Sequence, residues 1–190
     1  MGVMPECYLM NTVIILASGP SLTLADCDTA INSRLPVIAV NSTWEAVPEC
    51  GYIYAGDYRW WKYNIDKLPE GPERWTCNKL AQEGFGINYH QPQYTGGYNS
   101  GLRAIMFAEY MGAKNILILG YDCSVADGLH WHGQHTMTGN PTELLTKIWQ
   151  SEFLSLSHYL DGKARVFNCS RKTALDCFPI FSFGEALELV

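Results

Sequence analysis

The sequence predicts an α/β fold, a single Rossmann-like domain over residues 1–190, doubly wound, with a mostly parallel sheet and helices on both faces. Three observations carry this expectation. Short apolar runs recur at Val13–Leu16, Val37–Val40, Tyr52–Ala55, Ile116–Leu119 and Arg165–Phe167, and continuous runs of this length suit strands buried on both faces. Helical patterns separate most of them, the alternation that builds a parallel sheet. At 190 residues and 47% hydrophobic content the chain can bury a full core, and no linker or low-complexity run divides it.

The first strand, Thr12 to Ala17, runs into Ser18-Gly19-Pro20-Ser21. Gly19 is expected to adopt backbone angles closed to other residues, and Pro20 fixes its own φ. Thr23 and Asp26, three apart, form a capping-box pattern that opens a helix over Leu24–Asn32. The free N–H groups at such a helix start suit a phosphate or ribose, and an ordinary strand-to-helix turn is the alternative. The turn is neither the dinucleotide G-x-G-x-x-G fingerprint nor a P-loop.

Further along, Asn99 to Met111 reads as a helix with Leu102, Ile105, Met106 and Tyr110/Met111 on one side, closed by Gly112. A strand follows over Asn115 to Gly120. Pro141 opens a long helix through about Leu160, with Leu144, Leu145, Ile148 and Leu156 on its apolar face. Between Asp66 and Tyr98 the chain is least regular, either a short insertion with an edge strand or a mobile loop.

The net charge of −6 gives no general attraction to nucleic acid or to an anionic membrane, which leaves nucleic acid a candidate only as an acceptor. Residues Met1 to Met10 carry no basic stretch ahead of an apolar one, and no apolar run is long enough to span a bilayer, so a soluble cytoplasmic protein is expected. Seven cysteines are scattered without a C-x-x-C pair, as expected of reduced thiols packed as small apolar residues. Aromatics cluster in polar surroundings at Tyr58-Arg59-Trp60-Trp61-Lys62-Tyr63 and at Trp131, where stacking on a base or sugar competes with a core role.

In open α/β sheets, ligands bind beyond the carboxyl ends of the strands. Every predicted strand here ends in polar groups suited to a sugar-nucleotide: Ser18, Gly19, Pro20 and Ser21 after the first, Asn41 after the second, Asp57 after the third, Asp122 after the fourth, and Asn168-Cys169-Ser170-Arg171 after the last. Asn99, Ser100 and Gly101 open a helix on the same side. A second concentration of chemistry lies at Asp127 to His135, where His130, His132 and His135 place three of the five histidines within six residues. Histidine transfers protons near neutral pH, which makes this segment a candidate general base or acid. Zinc ligation, with Asp122 or Asp127 completing the set, and a purely structural role are the alternatives, and neither H-E-x-x-H nor a cysteine-containing zinc motif is present.

Val13–Leu22, Asn41, Tyr98-Asn99-Ser100-Gly101 and Gly112-Ala113-Lys114-Asn115-Ile116-Leu117-Ile118-Leu119-Gly120-Tyr121-Asp122 together resemble the bacterial lipooligosaccharide sialyltransferases. Those enzymes carry a G-N-G-P-S-L turn, a T-S-G helix start and a G-x-K-x-I-x-L-x-G-x-D-F strand. Archaeal hydroxymethylpterin diphosphokinase-like proteins share the G-P-S-L turn and the second strand. The His130-Trp131-His132-Gly133 and Asn168-Cys169-Ser170-Arg171 segments are similar to proteins encoded by phages and prophages, which would place the chain in a host cytoplasm. The sialyltransferase resemblance implies that Gly19, Pro20, Ser21, Asn41, Asn99, Ser100 and Gly101 line a cytidine nucleotide. It implies that His135 is the base, with His130 and His132 as alternatives. The chain departs from those enzymes in having Ser18 where they have asparagine, in lacking their two phosphate-binding tyrosines after Asp122, and in being much shorter.

The reading that results is a protein that binds a nucleotide or nucleotide-sugar donor and transfers a glycosyl group. A histidine would remove the acceptor proton while Arg171 or Lys172 offsets the leaving charge. A Mg²⁺-dependent diphosphokinase using Asp57, Asp122 and Asp127 is the second hypothesis, and a catalytically silent nucleotide-binding protein the third. A small-molecule nucleotide is the expected partner, no membrane is, and an oligomer stays open. No metal ligand set is assigned.

Overall fold

A computed structural model describes residues 11–94, 97, 99–126, 128 and 141–190. Seven parallel strands form one open sheet in the order β5-β4-β3-β2-β1-β6-β7. They are β1 (Thr12–Leu16), β2 (Val37–Val40), β3 (Tyr52–Tyr54), β4 (Glu73–Thr76), β5 (Asn88–Tyr89), β6 (Asn115–Leu119) and β7 (Arg165–Asn168). The helices are α1 (Leu24–Asn32), α2 (Tyr58–Asn64), α3 (Lys79–Phe85), α4 (Ser100–Tyr110), α5 (Glu143–Leu160) and α6 (Phe183–Glu188). Two short 3₁₀ turns follow β2 and α2, at Asn41–Glu45 and Ile65–Lys67.

Side chains alternate across the pleat and sort the helices into two layers. Ile14 and Leu16 pack in one cluster with Cys27 and Ala30 of α1, Trp60 and Trp61 of α2, Ala81 of α3 and Phe183 and Ala186 of α6. Val13 and Ile15 face the other way, into α4 and the Phe153, Leu156 and Leu160 side of α5. Each fully buried aliphatic side chain contributes about 1.5–3 kcal/mol of transfer free energy, so these two layers dominate stability. The doubly wound expectation therefore holds, and the sheet is parallel throughout the described residues.

Local signals fixed several boundaries. Thr23 and Asp26 form the expected capping box on α1, and Asn99 caps α4 by accepting from Leu102 N–H at 3.1 Å. Gly112 follows α4 at φ +90°, the left-handed exit expected of it. Three expectations need correction. Of the two readings of Asp66–Tyr98, the insertion with an edge strand is the nearer, but its described residues supply two strands and a helix, β4, α3 and β5, at the sheet edge. Helix α4 is buried from Gly101 through Ala108, with no polar face, because it is central to its layer. On α5, Leu144 is 71% exposed and Ile148 47%, while Thr146, Phe153, Leu156 and Leu160 are buried, a face rotated from the one the leucine spacing suggested.

The cysteines Cys27, Cys50, Cys77, Cys123, Cys169 and Cys177 are free thiols. Burial pushes the Cys27 thiol up to about 11 and those of Cys50 and Cys169 to about 12, which keeps them as unreactive packing groups. Thiol titration in denaturant is expected to count all seven cysteines free. In native protein at pH 8, Cys27, Cys50 and Cys169 should stay unmodified. A disulfide in protein made in a reducing cytosol would contradict this assignment.

Candidate functional site

The chain adds strands outward from β1 to β5, then returns to place β6 against the other side of β1. Connections leaving β1 and β6 therefore diverge in opposite directions, and the gap between them is where ligands bind in sheets of this kind. The β1–β6 pairing runs in register from Thr12 opposite Asn115 to Leu16 opposite Leu119, which brings both strand ends level. A cavity of about 370 Å³ opens above them, in the size range of small-molecule sites, roughly 300–1,000 Å³. Its wall includes Ser18, Gly19, Pro20, Asn41, Asp57, Asn99, Ser100, Gly101 and Asp122. Nine of the ten residues expected to contact a nucleotide thus converge on one space; the tenth, Ser21, is bonded into the turn beneath it.

That turn is built by contacts between the β1 and β6 exits. Gly19 N–H donates to the Gly120 carbonyl at 2.9 Å, and Ser21 donates to Asp122 twice, from its backbone N–H at 2.9 Å and its hydroxyl at 2.7 Å. A Cβ on Gly19 would lie 2.4 Å from the Gly120 carbonyl oxygen and 2.2 Å from Asp122 Oδ1. Gly19 is not among the left-handed glycines, so the expected reason for it is corrected: close approach of two chain segments requires it, not φ. Gly120 does have φ +72°, and a Cβ there would meet the Ala17 carbonyl oxygen at 2.2 Å.

Behind the turn, the segment after β7 acts as a brace. Ser170 Oγ accepts from Tyr121 N–H at 2.9 Å, Thr173 Oγ1 donates to the Tyr121 carbonyl at 2.8 Å, and Ala174 N–H donates to the Asp122 carbonyl at 2.8 Å. Tyr121 is buried and its phenol donates to the Gly101 carbonyl at 3.0 Å, tying the turn to the start of α4. Ser100 Oγ accepts from Gly56 N–H at 3.1 Å, joining the β3 exit to the same helix.

Two cavity residues hold left-handed backbone without being glycine, Asn41 at φ +51° and Cys123 at φ +46°. Such conformations cost of order 1 kcal/mol or more and concentrate at functional sites. The Asn41 side-chain oxygen is buried with no hydrogen-bond partner among the described residues, an acceptor that a bound hydroxyl, amine or water would satisfy. Asp57 caps α2 by accepting from Arg59 N–H at 2.7 Å.

The cationic candidates are placed differently from expectation. Arg171 does not line the cavity: its guanidinium donates from Nε and Nη2 to Asp26 at 2.9 and 2.8 Å, clasping α1 to the β7 exit. Its positive charge is thereby committed to a structural carboxylate. Lys172 lines a neighbouring cavity of about 160 Å³ with Pro20, Asp122, Ser124 and Thr173. His130, His132 and His135, together with Asp127 and Trp131, lie outside the described residues. Both Asp122 carboxylate oxygens accept from Ser21, which gives this residue a structural part in the turn.

Several wall residues carried no signal in the sequence. Leu145, Thr146, Trp149 and Phe153 come from α5, where apolar spacing looks the same whether it meets the core or a cavity. Trp60 and Trp61 are buried in the core, donating their indole N–H groups to Ser42 Oγ at 3.2 Å and the Ala55 carbonyl at 2.9 Å, though Trp60 also reaches the cavity. His90, not singled out by the sequence, is buried against Tyr54 with its Nε2 2.8 Å from the phenol oxygen. Burial and the Arg103 charge push it down to about 4, so it is a neutral packing residue away from the cavity.

Two predictions follow from this geometry. Gly19→Ala is expected to lower the melting temperature, because the new Cβ meets a backbone carbonyl that cannot rotate away; thermal unfolding equal to that of the unmodified protein would show that the turns do not approach as described. Burial alone would raise the Asp26 carboxyl, but hydrogen bonds from Arg171 and Thr23 outweigh it and hold Asp26 below its ordinary range. A carboxylate more acidic in the folded state contributes stability that is complete near neutral pH and is lost as pH falls below about 4. Arg171→Ala should therefore destabilise at pH 7, by about 0.5–1.5 kcal/mol once solvent screening of the exposed guanidinium is allowed for, and by less in acid, read from denaturant melts at both pH values.

No protein-family model matches this chain, and no curated protein matches it in sequence. Solved structures do. The MAf glycosyltransferase from Magnetospirillum magneticum AMB-1 superposes with a TM-score of 0.64 and 13% identity, over 94% of this chain and 34% of that one. The sialyltransferase CST-II, solved in complex with a trisaccharide acceptor and CMP, superposes with a TM-score of 0.56 and 17% identity, over 88% of this chain and 84% of that one. This chain spans about a third of the MAf glycosyltransferase. At these identities the likeness establishes a shared fold, the Rossmann-like sheet of two glycosyltransferases.

Proposed function

We propose that this protein is a glycosyltransferase that binds a nucleotide-activated sugar in the cavity between β1 and β6. The observation that carries the reading is the convergence, at the switch point of a fold shared with two glycosyltransferases, of the polar ends of β1, β2, β3 and β6 with the start of α4. By analogy with the CMP named for CST-II, a cytidine monophosphate-linked sugar is the donor to test first. The described cavity wall contributes no lysine or arginine; among the described residues, neutral donors at the α4 start, aided by the helix dipole, would meet the phosphate.

A histidine of the 130–135 segment would accept the proton of the attacking hydroxyl as the sugar–phosphate bond breaks, the nucleotide leaving with its phosphate. Support comes from the flanks of that segment: Ser124 and Pro141 both line the cavity, and Gly128 lies beside Pro20. The described residues on either side of that segment thus stand at the cavity rim.

The test is calorimetric titration with cytidine 5′-monophosphate, followed by an assay for nucleotide release from a cytidine monophosphate-linked sugar with glycan acceptors. Saturable binding to the unmodified protein is expected. The alanine variant of the histidine that serves as base should lose on the order of 10²–10⁴-fold in turnover while nearly keeping nucleotide affinity. If His130→Ala, His132→Ala and His135→Ala all keep full turnover, the histidine mechanism is wrong. If they instead lose bound zinc and melting temperature together, the segment is a metal site.

A further inference from the structure

The cavity has two unlike walls. On the sheet side stand Ser18, Gly19, Asn41, Asn99 and Ser100, rich in amides, hydroxyls and backbone N–H groups. Alongside them, α5 contributes Leu145, Trp149 and Phe153, spaced by four residues and so aligned on one helix face. Phe153 is the buried end of this stripe, packed edge-on against Tyr121 at 5.8 Å, and Tyr121 in turn bonds Gly101 at the start of α4. Trp149 lies one turn further out, about 6 Å along the helix. Its indole is only half buried, and among the described residues it has neither a hydrogen bond nor a ring partner. Trp149 packs in part against the core, and the part of its indole that this packing leaves accessible lines the cavity beside polar groups.

We propose that Trp149 is the stacking platform for the nucleobase of the donor, an inference that rests on the nucleotide reading above. A ligand filling this space needs a polar, anionic group for the α4 start and a flat apolar group to lie along the exposed stripe of α5. A nucleoside monophosphate has both, its phosphate and its base separated by the ribose. The base lies over the Trp149 indole, with Leu145 excluding water at its edge. Stacking of this kind tolerates any base, because every base has a π face. Trp149 therefore sets affinity for the nucleotide class, and contacts on the polar wall choose among bases.

The test compares cytidine 5′-monophosphate, adenosine 5′-monophosphate and ribose 5-phosphate by calorimetry on the unmodified protein and on Trp149→Phe, Trp149→Leu and Trp149→Ala. In the unmodified protein both nucleotides should bind on the order of 10-fold or more tighter than ribose 5-phosphate, the gain typical of one aromatic–base stack. Trp149→Phe, which keeps a ring, should retain most of that margin. Trp149→Leu, which keeps apolar bulk without a ring, and Trp149→Ala should bring the nucleotides close to ribose 5-phosphate, whose own affinity stays unchanged. Melting curves identify any variant that fails to fold, and the Phe and Leu pair decides the matter if Ala does. Nucleotide affinity unchanged in folded Trp149→Leu would overturn the platform while leaving the nucleotide site intact. Failure of all three compounds to bind the unmodified protein would overturn both.

Discussion

The site depends on the close approach of two chain segments, the exits of β1 and β6. Five register pairs bring these strands out level, and the glycine at 19 lets the first turn lie against the Gly120 carbonyl. Asp122 then fastens the second turn to Ser21 through both carboxylate oxygens. Without that contact the turns would splay, and Ser18, Pro20, Gly101 and Tyr121 would no longer share one cavity. The brace of Asn168, Ser170 and Thr173 behind Tyr121 serves the same end, with Asn168 Oδ1 accepting from Ser170 N–H at 3.1 Å and its amide donating to Thr173 Oγ1 at 3.1 Å. Polar residues at the end of β7 that look like ligand contacts in the sequence are satisfied within the protein.

Charge follows the same division of labour. The cation expected to meet a leaving group, Arg171, neutralises Asp26 beneath α1, and the described wall of the main cavity offers carboxylates at Asp57 and Asp122 but no cationic side chain. Among the described residues, an anionic ligand there would meet oriented neutral dipoles rather than a cation. Backbone N–H groups at a helix start suit this role, because their partial charges are fixed in place before the ligand arrives.

Strands β1, β2 and β6 were legible because full burial on both faces demands unbroken apolar runs, and their polar endings marked the cavity floor. The capping box at Thr23 and Asp26 and the Asn99 cap are local chemistry, visible wherever the residues are read in order. By contrast β4, Glu-Arg-Trp-Thr, sits near the sheet edge with only Thr76 fully buried, and β5 is two residues long, so neither leaves an apolar signature. Leucine spacing misphases the α5 face because Leu144 and Ile148 are as apolar as the residues that do pack, and only tertiary contact separates them. Trp149 was invisible for a related reason: an indole facing a cavity and one facing a core share the same spacing. Gly19 stands out in the sequence, but the sequence cannot distinguish a glycine needed for φ from one needed to let Asp122 and Gly120 come near.

The central claim is that one cavity, at the β1–β6 switch point, binds the nucleotide. Amide hydrogen exchange with and without cytidine 5′-monophosphate measures this most directly. Slowed exchange is expected over Ser18–Ser21, Ser100–Arg103 and Tyr121–Ser124, with α3 and α6 unaffected. Protection that falls instead on the far layer or on the β4–β5 edge, with the two exit turns unchanged, would contradict it.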